Sequence, residues 1–154
     1  MLQAKENEMV ISRIFDAPKE LMWKVWTEPE HIAQWWGPIG FTNTIHEMHV
    51  KEGGVWRLTM HGPDGTDFLN KIVYLEVKKP ELLVYRHSGE EDTADISFHV
   101  RVTFEDQNGK TKLTMIATFE SKEKLDHVKK EFGAEQGQVD TMNRLAAYIK
   151  NINS

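Results

Sequence analysis

The chain has 154 residues, 28% of them charged and 40% apolar, with a formal net charge of −5. This is an ordinary globular mix in a length that suits one domain, and it argues against a disordered chain. The acidic balance and the lack of any run of Lys or Arg argue against nucleic acid or an anionic membrane as a partner.

No Cys is present, which removes disulfides, thiolate metal sites and a cysteine nucleophile and fits a reducing compartment. The opening residues, MLQAKENEMV, hold no continuous apolar stretch and do not read as a signal peptide. No segment approaches the ~20 apolar residues of a membrane span. The expectation is a soluble cytoplasmic protein with one domain over 1–154 and its core over 8–152.

Residues 8–15, EMVISRIF, alternate and carry β-branched side chains, which predicts a strand. Asp16-Ala-Pro18 then starts a helix, with Asp16 as N-cap and Pro18 in the first turn. Leu21, Met22, Val25 and Trp26 give it one apolar face. Thr27-Glu-Pro-Glu30 has the capping-box pattern and opens a second short helix. Ile32, Trp35 and Trp36 are the large apolar residues there, and Gly37-Pro38 ends it.

Strand signals follow. They cover 42–50, 55–61, 68–77, 82–88, 95–105 and 111–119. Turn residues separate them: Gly53-Gly54, Pro63-Asp64-Gly65, Lys79-Pro80-Glu81 and Asn108-Gly109. The tail is helical. Leu125, Val128 and Phe132 form a short stripe that Gly133 interrupts. Gln138, Met142, Leu145, Ile149 and Ile152 then share a face on which Gln138 alone is polar.

The order predicts an α+β fold: a curved antiparallel sheet of about seven strands, two short helices after the first strand, and a long C-terminal helix. A sheet this wide curls. The last helix needs an apolar surface, and the concave face supplies it. A curved sheet closed by one helix encloses space.

The segments Phe15-Asp-Ala-Pro-Lys-Glu-Leu21, Trp26-Thr-Glu-Pro-Glu-His31, Trp35-Trp-Gly-Pro38, Gly53-Gly54, Pro63-Asp-Gly65, Gly133-Ala-Glu-Gln-Gly137 and Arg144-Leu-Ala-Ala-Tyr148 carry a family resemblance. The chain resembles bacterial proteins related to the C-terminal domain of the activator of the Hsp90 ATPase. These belong to the START-like (SRPBCC) superfamily, with the helix-grip fold also seen in the birch pollen allergen. The likeness runs from about Glu8 to Ile152, and none of its segments is a catalytic motif. One stretch departs: where relatives often have an acidic residue and Arg-Pro before the double Gly, this chain has His49-Val50-Lys51-Glu52. The resemblance implies a cavity between sheet and helix that holds an apolar small molecule.

Several side chains are candidates to line that cavity. Trp35 and Trp36 cannot face the same way on a helix; the resemblance implies that one packs under the short helices while the other points to the cavity mouth, the alternative being that both rings are core plugs. Trp56, Leu58 and Met60 share one face of their strand. Phe98, Val102, Met115 and Phe119 share the inner face of two more; in both sets core packing is the better reading for any single residue, while together they shape whatever space exists. Tyr85 and His87 add polar tips able to orient a ligand, with Arg86 between them toward solvent. Phe132, Met142 and Leu145 complete the set from the tail. Gly137 inside the last helix calls for a close approach or a kink.

Reactive constellations are not apparent. His46 and His49 fall on opposite faces of a strand, His61 and His87 lie on separate strands, and His31 is expected in solvent. Neither a metal nor a cofactor is expected. Ser12, Ser88, Ser97 and Ser121 lack a nucleophile-elbow context. Gly53-Gly54 lies between strands, without the helix an anion site needs. The leading expectation is therefore a binding protein for an apolar small molecule. The alternative is an interaction module of Hsp90-activator type, by analogy alone. Eukaryotic relatives carry this domain beside a second one, for which this chain has no room. A START-like cyclase or hydrolase ranks third.

Overall fold

Backbone pairing joins the strands of the described residues into one antiparallel sheet. The computed structural model describes residues 5–89 and 98–152, apart from the side chains of Ser88, Glu131, Phe132 and Ala134. The strands are β1 (Glu8–Phe15), β2 (Thr42–Met48), β3 (Val55–His61), β4 (Asp67–Lys78), β5 (Leu82–Gly89), β6 (Phe98–Gln107) and β7 (Lys110–Phe119). Their order across the sheet is β1-β7-β6-β5-β4-β3-β2. The helices are α1 (Lys19–Thr27), α2 (Pro29–Ile32), α3 (Lys122–Phe132) and α4 (Ala134–Ile152). The α+β order and the sheet closed by a C-terminal helix are therefore as the sequence leads one to expect. The part of the 95–105 strand before Phe98 lies outside the described residues.

Each strand from β2 through β7 pairs with its chain neighbour. β1 is the exception and reaches β7, with Phe15 opposite Thr111 and Glu8 opposite Thr118. Register shifts at Ile45/Glu47 and Tyr74/Glu76 bend the sheet locally. Gly53-Gly54 extends the ladder: the Gly53 N–H donates to the Tyr74 carbonyl at 2.8 Å and the Tyr74 N–H to the Gly54 carbonyl at 2.9 Å.

Two helix starts differ from expectation. Pro18 itself is the N-cap of α1, with no side-chain cap, so Asp16 does not fill that role. Glu28 precedes α2, also uncapped by a side chain, with Pro29 in the first turn. The Thr27 hydroxyl donates back to the Trp23 carbonyl at 2.7 Å and is spent before α2 begins. A Thr in the last turn of one helix bonds its own i−4 carbonyl more readily than it caps the next. α3 is capped by a side chain: Ser121 accepts from the Lys124 N–H. Gly133, at φ 60, ends it in the left-handed conformation and starts α4 afresh.

The core gathers at the end of the sheet beneath α1 and α2. Met22, Trp23, Val25 and Trp26 of α1 and Ile32 of α2 are buried there with Phe15, Phe104 and Leu113. Trp23 and Trp26 both meet Phe104 edge-on, at 5.6 and 6.1 Å between ring centroids. Among the described residues no helix is long and apolar enough to cross a membrane.

Candidate functional site

Strand alternation builds one continuous inner face. β3 contributes Trp56, Leu58 and Met60, and β5 contributes Leu83, Tyr85 and His87. β6 contributes Phe98, Val100, Val102 and Phe104, and β7 contributes Leu113, Met115, Ala117 and Phe119. The tryptophan-rich helices fill one end of this face. At the other end the strands run on past them, and the α3–α4 segment crosses above.

A pocket of about 360 Å³ is left there. Its walls come from the start of β1 (Met9), the end of β3 (Met60), the start of β4 (Phe68, Asn70) and the end of β5 (Tyr85, His87). The start of β6 (Phe98, Val100) and the end of β7 (Met115, Ala117, Phe119) continue them. Val128 of α3 and Gly137, Gln138 and Thr141 of α4 roof it, and Trp36, Gly37 and Pro38 close the side nearest α2.

The two adjacent tryptophans divide between core and pocket. Both lie just past α2, in the turn whose N–H groups bond back to the Ile32 carbonyl. Trp35 is fully buried, and its indole N–H donates to the Val25 carbonyl at 3.1 Å. Trp36 faces the pocket and meets Trp26 and Trp56 edge-on, with centroids 5.9 and 4.9 Å apart. It forms the partition between plug and hollow.

Of the candidates read from sequence, Trp36, Met60, Tyr85, His87, Phe98, Met115 and Phe119 line the pocket. Trp35, Trp56, Leu58, Val102, Met142 and Leu145 do not; they are buried in the core. Trp56, Leu58 and Val102 share the inner face but sit further along their strands, toward the plug. Met142 and Leu145 lie further along α4 than the lining residues Gly137, Gln138 and Thr141. The Phe132 side chain lies outside the described part. Pro38 and Phe68 were not legible, since neither belongs to a periodic apolar stripe. Gln138 had a signal: it is the polar residue in the apolar stripe of the last helix, and it faces the pocket.

The polar groups of the pocket are neutral. Asn70 donates its amide N–H to the Phe68 carbonyl at 3.1 Å, which fixes the amide, so its oxygen accepts the Nε2–H of His87 at 2.9 Å. His87 Nδ1 is then left as an acceptor. The ring lies between Phe98, at 5.0 Å, and Trp36, at 6.3 Å. Loss of hydration in this setting lowers its pKa to about 4, so the imidazole is uncharged near neutrality. Burial pushes the Tyr85 phenol upward, helped by nearby Tyr74. Among the described residues neither the Tyr85 hydroxyl nor His87 Nδ1 has a hydrogen-bond partner. Among the described residues no Asp, Glu, Lys or Arg lines the pocket.

The other histidines are occupied elsewhere. His61 and His87 do not meet: β4 separates their strands, and His61 is on the outer face. His61 bonds Thr44 Oγ1 through Nε2 and Asp67 Oδ1 through Nδ1, each at 2.7 Å. This has the order of a hydroxyl–imidazole–carboxylate relay, but it lies exposed across β2, β3 and β4, away from the pocket. His31 is half-buried, not in solvent as expected, because α4 brings the Tyr148 hydroxyl within 2.6 Å of its Nδ1. No group of three or more His, Asp or Glu suited to a metal occurs among the described residues.

These features place the chain in a class: a curved sheet gripping a C-terminal helix around an internal pocket. The profile of the family described as activator of Hsp90 ATPase homolog 1-like protein matches residues 16–150, and the chain belongs to that family. Solved structures agree. A protein from Arthrobacter aurescens is 26% identical, with TM-score 0.87 over 95% of this chain and 87% of that one. A Rhodobacter sphaeroides protein is 19% identical, with TM-score 0.84 over 97% and 96%. A Staphylococcus epidermidis protein is 22% identical, with TM-score 0.82 over 97% and 93%. No curated protein matches the chain.

Proposed function

We propose that the chain is a binding protein for an apolar small molecule, held between the inner face of the sheet and the start of α4. The observation that carries this reading is the pocket. Its volume of about 360 Å³ falls within the range of small-molecule sites, roughly 300–1,000 Å³. Methionine, aromatic and small aliphatic side chains make most of its wall, and the polar groups of Asn70, Tyr85, His87, Gln138 and Thr141 interrupt them. Each Å² of apolar ligand surface taken out of water there contributes about 25 cal/mol.

The test is a titration of isotope-labelled protein with a panel of neutral apolar compounds, following amide shifts and thermal stability. Saturable shifts centred on Trp36, Tyr85, His87 and Gly137, with a raised Tm, support the reading. Absence of saturable shifts with every compound overturns it.

The second reading is a protein-interaction module of Hsp90-activator type. The family's description favours it, as do two exposed apolar side chains beside the pocket, Ile39 at 66% and Phe68 at 45% exposure. Binding to a purified Hsp90-type chaperone would then be unchanged when a small molecule fills the pocket.

A further inference from the structure

We infer that the pocket selects an uncharged ligand whose apolar body carries a hydroxyl group, and that it rejects the corresponding carboxylate. The inference rests on the apolar-binding reading and adds the ligand's chemical class.

Tyr85 and His87 stand two residues apart on β5, so their side chains project side by side from the inner face. Tyr85 is 2% exposed, yet its hydroxyl has no partner among the described residues. That hydroxyl is not among the fully sealed side-chain atoms that lack a partner; Tyr85 lines the pocket, so its hydroxyl is open to a ligand there. His87 is constrained from behind: Asn70 takes its Nε2–H, and the Phe68 carbonyl fixes the Asn70 amide. The β5 wall of the pocket thus presents one O–H donor and one ring-nitrogen acceptor, next to each other; on the roof, Gln138 adds a neutral amide and the Thr141 hydroxyl donates to the Gly137 carbonyl. A ligand hydroxyl satisfies both, accepting from Tyr85 and donating to His87 Nδ1.

A carboxylate accepts from Tyr85 but meets only that half of the pair. It has no proton for His87 Nδ1, and it brings a charge into an apolar wall. Among the described residues no Lys or Arg lines the pocket to receive that charge. Arg144 is the cation behind the Gly37–Pro38 turn, and its guanidinium is spent on backbone carbonyls. An unpaired ion in such a setting is strongly disfavoured. Burial favours the protonated phenol of Tyr85 and the neutral ring of His87, which keeps the donor and the acceptor in these forms across the neutral pH range.

The experiment compares biphenyl, 4-phenylphenol and biphenyl-4-carboxylate on the intact chain at pH 7.5, by amide-shift titration. 4-Phenylphenol is expected to bind about tenfold more tightly than biphenyl, the ratio that one satisfied buried hydrogen bond gives. The carboxylate is expected to bind at least tenfold more weakly than biphenyl. Tyr85→Phe and His87→Phe are each expected to bring the ratio of 4-phenylphenol to biphenyl affinity, measured within the same variant, from about tenfold toward one. Tyr85→Phe removes an oxygen with no described protein partner, so its fold is spared, and an unchanged Tm checks that.

Equal affinity for biphenyl and 4-phenylphenol in the wild type overturns the hydroxyl assignment, while the apolar-binding reading stands. Carboxylate binding as tight as that of 4-phenylphenol overturns the exclusion of charge in the same way. No binding by any of the three overturns both readings together.

Discussion

Arg144 of α4 donates from Nη1 to the carbonyl of Trp36 at 2.9 Å. The same nitrogen lies 3.0 Å from each of the next two carbonyls, Gly37 and Pro38. A single guanidinium therefore ties the C-terminal helix to the turn that holds the pocket-facing tryptophan. These carbonyls follow α2 and have no further helix to bond into, so a cation is the natural partner for them. Partial desolvation lowers the Arg144 pKa, but a guanidinium remains charged at any ordinary pH.

Arg144→Ala is expected to cost about 2 kcal/mol, because charged hydrogen bonds are lost and the Gly37 carbonyl is left without its donor, while the Trp36 carbonyl keeps the Asn43 amide and the Pro38 carbonyl the Phe41 N–H. Arg144→Lys is expected to recover less than half of that, since an ammonium cannot reproduce the planar donor set. Urea denaturation of the three proteins checks the order. An alanine variant as stable as the wild type would show that water serves these carbonyls equally well.

His87 makes stability depend on pH with a definite sign. Its pKa falls to about 4 in the folded chain, against ~6.5 when unfolded. Between those values the unfolded chain binds a proton that the folded chain does not. Stability therefore rises with pH through this window, is complete above about 6.5, and is lost as pH falls toward 4. Part of the ring faces the pocket, so the loss is on the order of 2 kcal/mol, less than full burial would give. Carboxylates contribute acid sensitivity of their own, so the comparison is with His87→Phe. That variant is expected to lose about 2 kcal/mol less than the wild type between pH 7 and pH 4. Parallel pH profiles for the two proteins would count against the assignment.

The adjacent tryptophans should separate stability from binding. Trp35 is sealed in the core and donates its indole N–H to the Val25 carbonyl. Trp35→Phe removes that bond and leaves a gap, at a cost of about 2–3 kcal/mol. Trp36→Phe is expected to cost about 1 kcal/mol, because its ring borders a hollow and the neighbours lose less packing. The effect on affinity should run the other way, with biphenyl binding altered several-fold in Trp36→Phe and little in Trp35→Phe. Chemical denaturation paired with amide-shift titration reads both quantities. The reverse pattern would mean that the roles of the two rings are exchanged.

Alternation in the sequence reports which face of a strand a residue occupies, and this is why the sheet was legible almost throughout. It does not report how far along the strand the helical plug extends. Trp56, Leu58 and Val102 have the same inward phase as Met60, Val100 and Met115, and the border between core and pocket runs between them. That border is set by Trp36 and the turn after α2, which are remote from these strands in sequence. Cap assignments failed for a local reason: the Thr27 hydroxyl had an i−4 carbonyl within reach, and Pro18 took the position assigned to Asp16. The partner of His31 was hidden for the opposite reason, since Tyr148 lies on an element far along the chain.

Two glycines should respond to alanine in opposite directions. At Gly54 an added methyl would collide with the His49 carbonyl oxygen, and the Lys51 carbonyl oxygen would lie 2.9 Å away. Both are backbone atoms, and neither can swing aside. The turn is also held by its paired bonds to Tyr74. Gly54→Ala is therefore expected to cost about 3 kcal/mol or more. At Gly137, inside α4, the added methyl would meet Pro38 Cγ at 3.6 Å, which is ordinary van der Waals contact. The approach of α4 to the Gly37–Pro38 turn thus leaves room for one methyl, and the helix gains intrinsic propensity. Gly137→Ala is expected to stabilise the chain by about 0.5–1 kcal/mol. Thermal and urea melts of both variants test the pair. A destabilised Gly137→Ala would mean that the turn and helix are packed more tightly than a 3.6 Å contact implies.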